Sequence, residues 1–149
     1  MCEIVDKVKG VCLSANVEKR KGLHSSMMDK LKRMFVEDGY RVHLEYPICF
    51  ESRIRKSGDK IQREGNVDLV GVKNGRKIAI EFDSGVHLKF KSIEKLFQVD
   101  ADVCIGVVRG KANALEGNIK RIEEITKEFG FFKKNFWLIV LTEKIAHKV

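Results

Sequence analysis

The chain has 149 residues, with 29 Lys and Arg against 21 Asp and Glu, a net charge of +8 and a pI near 9.4. That length suits a single domain spanning 1–149, and no apolar run is long enough to cross a membrane. The N-terminus carries no signal-peptide pattern, and Cys2, Cys12, Cys49 and Cys104 show neither CxxC pairing nor zinc spacing. Reduced thiols, a cytoplasmic location and no structural zinc are therefore expected. The basic balance favours a polyanionic partner, nucleic acid first.

In chain order, Ile4, Val5, Val8, Val11, Cys12 and Ala15 fall at helical spacing, predicting an amphipathic helix over 3–16 within an N-terminal extension, 1–20. The basic run Lys19-Arg20-Lys21 leads through Gly22 into a second helix, about 23–38, with a His24, Met28, Leu31 and Phe35 stripe and Gly39 as its stop. Residues 41–48 set Val42, Leu44, Tyr46 and Ile48 against Arg41, His43 and Glu45, reading as a strand that ends near Pro47. Residues 49–64 read as a polar, basic loop carrying Arg53, Arg55, Lys56, Lys60 and Arg63. Beyond residue 83 the pattern predicts a helix over 92–99, a buried strand over 101–108, and a helix over 112–129. A second buried strand at 136–141 and a charged tail complete the chain. The order gives a mixed α/β sheet sandwiched by helices, with its core in 22–141.

Residues 65–83 (GNVDLVGVKNGRKIAIEFD) form the most informative stretch. Two Val- and Ile-rich runs flank Asn74-Gly75, the dipeptide of a two-residue type I′ turn whose central residues both need φ > 0. Such a turn places Lys73 opposite Arg76, Gly71 opposite Ile78 and Asp68 opposite Glu81. Asp83, two residues beyond Glu81, shares its face. Three clustered carboxylates beside apolar residues repel one another and call for a cation, a shared proton or lysine partners. A divalent metal is the simplest answer.

The helix–strand–hairpin–helix–strand order, with Asp68 in Val67-Asp68-Leu69-Val70 and Glu81 in Ile78-Ala79-Ile80-Glu81-Phe82-Asp83, resembles the PD-(D/E)XK nuclease superfamily. The resemblance covers roughly residues 22–109 and extends in element order to about 141. It implies a restriction-endonuclease-like fold (core αβββαβ, extended) and metal-dependent hydrolysis of phosphodiester bonds, DNA being the favoured substrate. It further implies Mg²⁺ or Mn²⁺ held by Asp68 and Glu81, and a homodimer where both strands are cut. Asp83 stands where that family usually has lysine. Some members carry an acid there, others move the lysine to the following helix, and a third course is loss of catalysis with binding retained. The relocated-lysine candidates are Lys95, Lys91 and Lys89, with Lys95 the best placed.

Under this reading Asp68 and Glu81 bind the metal and Asp83 orients or deprotonates the attacking water, or else simply starts the turn that follows. Lys95 steadies charge at the phosphate. Arg53, Arg55, Lys56, Lys60 and Arg63, with Lys19-Arg20-Lys21, supply sequence-independent phosphate contacts. His24 and Asp29 are additional candidates near the metal; a lone His on an apolar stripe is equally a packed core residue. The competing functions are a nuclease-like binding module without catalysis and a protein-interaction domain.

Overall fold

A computed structural model describes residues 2–54, 56–129 and 135–149. Its elements are α1 (Cys2–Leu13), α2 (Leu23–Glu37), β1 (Arg41–Arg53), β2 (Lys60–Lys73), β3 (Arg76–Asp83), α3 (Phe90–Gln98), β4 (Val103–Val108), α4 (Ala114–Phe129), β5 (Asn135–Val140) and β6 (Ile145–Lys148). The strands form one six-stranded sheet in chain order. β1–β2–β3 run antiparallel, β3–β4–β5 parallel, and β6 returns antiparallel on β5.

Each face of the sheet buries a helix pair. Ile4, Val5 and Val8 of α1 and Met27, Leu31 and Phe35 of α2 pack with Leu69, Ile78, Ile80 and Phe82. Ile93 and Leu96 of α3 and Ile122 and Ile125 of α4 pack with Ala79, Cys104, Leu138 and Val140 on the other face. Among the described residues no helix is long and apolar enough to span a membrane. The result is an α/β domain with the predicted layering. The α2 helix ends as expected, with Gly39 at φ 88° and the Tyr40 N–H returning to the Phe35 carbonyl.

Three sequence expectations need correction. Residues 49–64 are not a loop: β1 continues through Pro47 to Arg53, and β2 begins at Lys60, so 54–59 alone connect them. Pro47 is tolerated because β1 lies at the sheet edge, where a missing N–H costs little. Val42, Leu44, Tyr46 and Ile48 do not share one environment. Val42 packs with the α1–α2 core, whereas Tyr46 and Ile48 pack with the α3–α4 core. The strand changes sides at Glu45, whose φ of 52° breaks the regular pleat. On β2 the same exchange occurs between Leu69 and Val67. Finally, the charged tail contains a short strand, β6.

Beyond this exchange the β1–β2 arm leans on α3 and α4. The Gln98 side chain accepts from the Glu51 N–H at 2.7 Å and donates to the Glu51 carbonyl at 2.8 Å. Buried Glu94 accepts from the Ser52 hydroxyl and the Arg53 N–H, both at 2.9 Å.

Candidate functional site

The β2–β3 hairpin has the expected turn, with Asn74 at φ 52° and Gly75 at φ 76°. Its register runs from Lys73↔Arg76 through Gly71↔Ile78 to Leu69↔Ile80 and stops there. One step further, where Asp68 and Glu81 come opposite, side chains replace the ladder. The Asp68 N–H donates to Glu81 Oε2 at 2.7 Å, and the Phe82 N–H donates to Asp68 Oδ2 at 2.7 Å. The two strands thus fork, and each carboxylate is held by a backbone donor across the fork.

Two helices on opposite faces of the sheet reach into it. From α3, Lys95 Nζ lies 2.5 Å from Glu81 Oε1 and donates to the Asn66 carbonyl at 2.8 Å. From the first turn of α2, His24 Nε2 lies 3.3 Å from Asp68 Oδ2. The His24 ring stands edge-on to Phe82 with centroids 5.5 Å apart, which fixes its orientation. The changeover at Glu45 and Asp68 explains how one pair of acids meets partners from both layers. Glu81 is buried, Asp68 and Lys95 are alike largely covered, at 16% and 17% side-chain exposure, and His24 is the most open of the four, at 42%.

Burial pushes the Glu81 carboxyl up to about 8, the Asp68 charge adds to this, and Lys95 opposes it. A second cation beside Glu81 would relieve the same strain. Asp68 Oδ1 has no hydrogen-bond partner among the described residues. No group of three or more His, Cys, Asp or Glu side chains is placed to hold a metal among those residues. The expected three-carboxylate cluster is therefore a two-carboxylate one. Two carboxylates suit Mg²⁺, which keeps several waters and takes further oxygens from a phosphate, and would not suffice for an all-protein site. Asp68 and Glu81 fit it on those terms.

The other sequence candidates fall elsewhere. Asp83 is buried on β3, but its Oδ2 accepts the Lys89 N–H at 2.8 Å, securing the chain before α3. Lys89 and Lys91 are exposed and, among the described residues, bond to neither carboxylate; of the three lysines, Lys95 alone does. Asp29 is exposed on α2 with no bond to the cluster among the described residues. Arg53 is turned inward, with Nη2 3.0 Å from Glu124 Oε1 but without hydrogen-bond alignment, and its guanidinium over the Phe90 ring. Lys60 donates to the Glu128 carbonyl at the end of α4 and covers Phe129. Arg63 is half-buried on β2, Lys56 is exposed, and Arg55 lies outside the described residues. The cations expected on a loop thus belong largely to a hairpin arm packed against α4.

Sequence reasoning did not find the Asn66 carbonyl that steadies Lys95, nor the ring of Phe82 behind His24. Only the register, which places 66 and 82 beside 68 and 81, could have pointed to them. No protein-family model matches this chain, and no curated protein does.

Proposed function

We propose that this chain is a metal-dependent nuclease, hydrolysing phosphodiester bonds in nucleic acid, with DNA the favoured substrate. The observation that carries the reading is the cluster of Asp68, Glu81 and Lys95, drawn from β2, β3 and α3. The cluster resembles the PD-(D/E)XK pattern with its lysine moved from the hairpin to the following helix, and that resemblance supports reading the sheet as a restriction-endonuclease-like fold. Lys95 answers the departure at Asp83, because its ammonium reaches Glu81 from α3.

Mg²⁺ or Mn²⁺ held by Asp68 and Glu81 would neutralise phosphate charge and lower the pKa of a bound water. The protein's own part is preorganisation. The Asp68 and Phe82 N–H groups hold the two carboxylates in place. Lys95, anchored on the Asn66 carbonyl, offers a fixed ammonium to a substrate oxygen. His24 bears on Asp68 from the exposed side, where substrate has access.

The test is cleavage of DNA and RNA substrates in Mg²⁺ and in Mn²⁺ by wild type, Asp68→Ala and Glu81→Ala. Loss of about 10²-fold or more in either folded variant is expected. Undiminished cleavage by either one, or a folded wild type that cuts nothing in both metals, would falsify the reading. One observation favours the second reading, a non-catalytic binding module: Lys95 and His24 already stand against the two carboxylates. That alternative predicts salt-sensitive nucleic-acid binding indifferent to metal and to Asp68→Asn.

A further inference from the structure

The segment between α1 and α2 carries Lys19, Arg20 and Lys21 in succession, all exposed. Some cations elsewhere are neutralised: Lys7 pairs with Glu3 and Asp38, Lys9 with Asp6, Arg53 with Glu124, Lys77 with Asp100 and Lys120 with Glu116. Among the described residues, Lys19, Arg20 and Lys21 have no acidic partner. Among the described residues the Arg20 side chain makes one hydrogen bond, Nε to Ser84 Oγ at 3.5 Å, just past the end of β3. Three adjacent like charges with no counterion raise the local potential, and an anion is what lowers it.

The segment is held in place. Arg109, at the end of β4, donates from Nε to the Val17 carbonyl at 3.0 Å and from Nη2 to the Glu18 carbonyl at 3.4 Å. Its own N–H donates to the Asp83 carbonyl at 2.9 Å. Arg109 thereby ties the basic run to the end of the strand that bears Glu81. Lys19 and Lys21 line a cavity of about 320 Å³ together with Asn16, Glu18 and Ser26; its wall includes Leu23, the residue before His24. Glu18 is the one acid on that wall, and it reaches neither lysine within ion-pair distance.

From this placement we infer that Lys19, Arg20 and Lys21 form the principal phosphate-backbone grip for a nucleic-acid strand entering the fork from the α2 side. This deepens the nuclease reading and rests on it for the purpose of the grip. It also reverses the sequence expectation, which gave the main role to residues 53–63. Arg53 and Lys60 are spent on α4, whereas the 19–21 run faces solvent beside the site. Because the segment is already anchored, little ordering cost is added when a strand binds.

The experiment measures binding of a short fluorescent DNA duplex in EDTA, so that cleavage plays no part. Lys19→Ala/Lys21→Ala is compared with Lys120→Ala/Lys127→Ala, which removes equal charge from exposed positions on α4. All three proteins are checked for folding by circular dichroism. The first variant is expected to lose roughly tenfold affinity at low salt and to reduce the slope of log affinity against log salt by about 2. The control is expected to shift less than about twofold. Equal losses in the two variants would overturn the inference and leave the nuclease reading standing. Wild type that binds no duplex overturns it as well. A variant that loses binding while the wild type proves unable to cleave sustains the grip and removes the nuclease.

Discussion

At one end of the β2–β3 hairpin every step of the ladder from Lys73↔Arg76 to Leu69↔Ile80 is made by backbone alone. At the other, two carboxylates take backbone N–H groups that a ladder would otherwise use. The tight end needs only two residues with positive φ, and it fixes which side chains meet. The open end turns that register into a charged cluster. Since side-chain direction alternates with period 2, a slip of one residue at the turn would send Asp68 and Glu81 to different partners. The comparison separates what sets geometry from what uses it.

The sharpest way to break the open end is Lys95→Met, which removes the ammonium beside Glu81 and keeps the stem's volume. Leaving a buried acid without its partner should cost about 2–4 kcal/mol near pH 9 and less near pH 5, where Glu81 takes up a proton instead. Urea midpoints at the two pH values check this, and equal losses at both would count against the pairing.

A smaller effect is expected from Glu81→Gln. The folded protein holds the Glu81 carboxyl above its ordinary value of 4.5, at about 8, so between those values it binds a proton that the unfolded chain releases. Wild-type stability from this group therefore falls as pH rises through that window and levels off above it. Gln removes the titration, so the melting temperature should depend less on pH and exceed wild type at alkaline pH, by roughly 1–2 kcal/mol in stability. A variant that retains the wild-type pH slope would assign that slope elsewhere.

At the closed end the effect is smallest. Gly75→Ala forces a Cβ into the left-handed region at φ 76° and should cost about 1 kcal/mol. On the proposed nuclease reading it should leave cleavage at the wild-type rate, which thermal melting and the cleavage assay together check. Loss of activity at retained stability would mean that the two ends are not separable.

What could be read from sequence follows the same division. Asn74-Gly75 announced its turn because few residues adopt those angles, and the register then placed Asp68 beside Glu81. Lys95 was readable as a helix position one element later. The buried strands β4 and β5 showed as continuous apolar runs within a residue or two of their bounds. The β1–β2 arm was hidden for a physical reason. Its distal strands, such as Lys60-Ile61-Gln62-Arg63-Glu64, are largely exposed, so their residues carry no strong apolar alternation, and Pro47 suggests an end where an edge strand continues. The change of sides at Glu45 has no signature in residue type at all. His24 was ambiguous because its stripe neighbours are core residues; only the fork's geometry draws it toward Asp68.

The contacts of Gln98 and Glu94 with β1 bear on the molecule's behaviour at high concentration. A long edge strand is an invitation to another chain, whose backbone could extend the sheet and seed fibrous aggregates. At Glu51 the Gln98 amide occupies both the N–H and the carbonyl, imitating the backbone of a neighbouring strand, and Glu94 closes the next outward donor at Arg53. Pro47 offers no donor to any newcomer. One helix thus acts as a dummy seventh strand, keeping the distal edge of β1 from recruiting copies of itself.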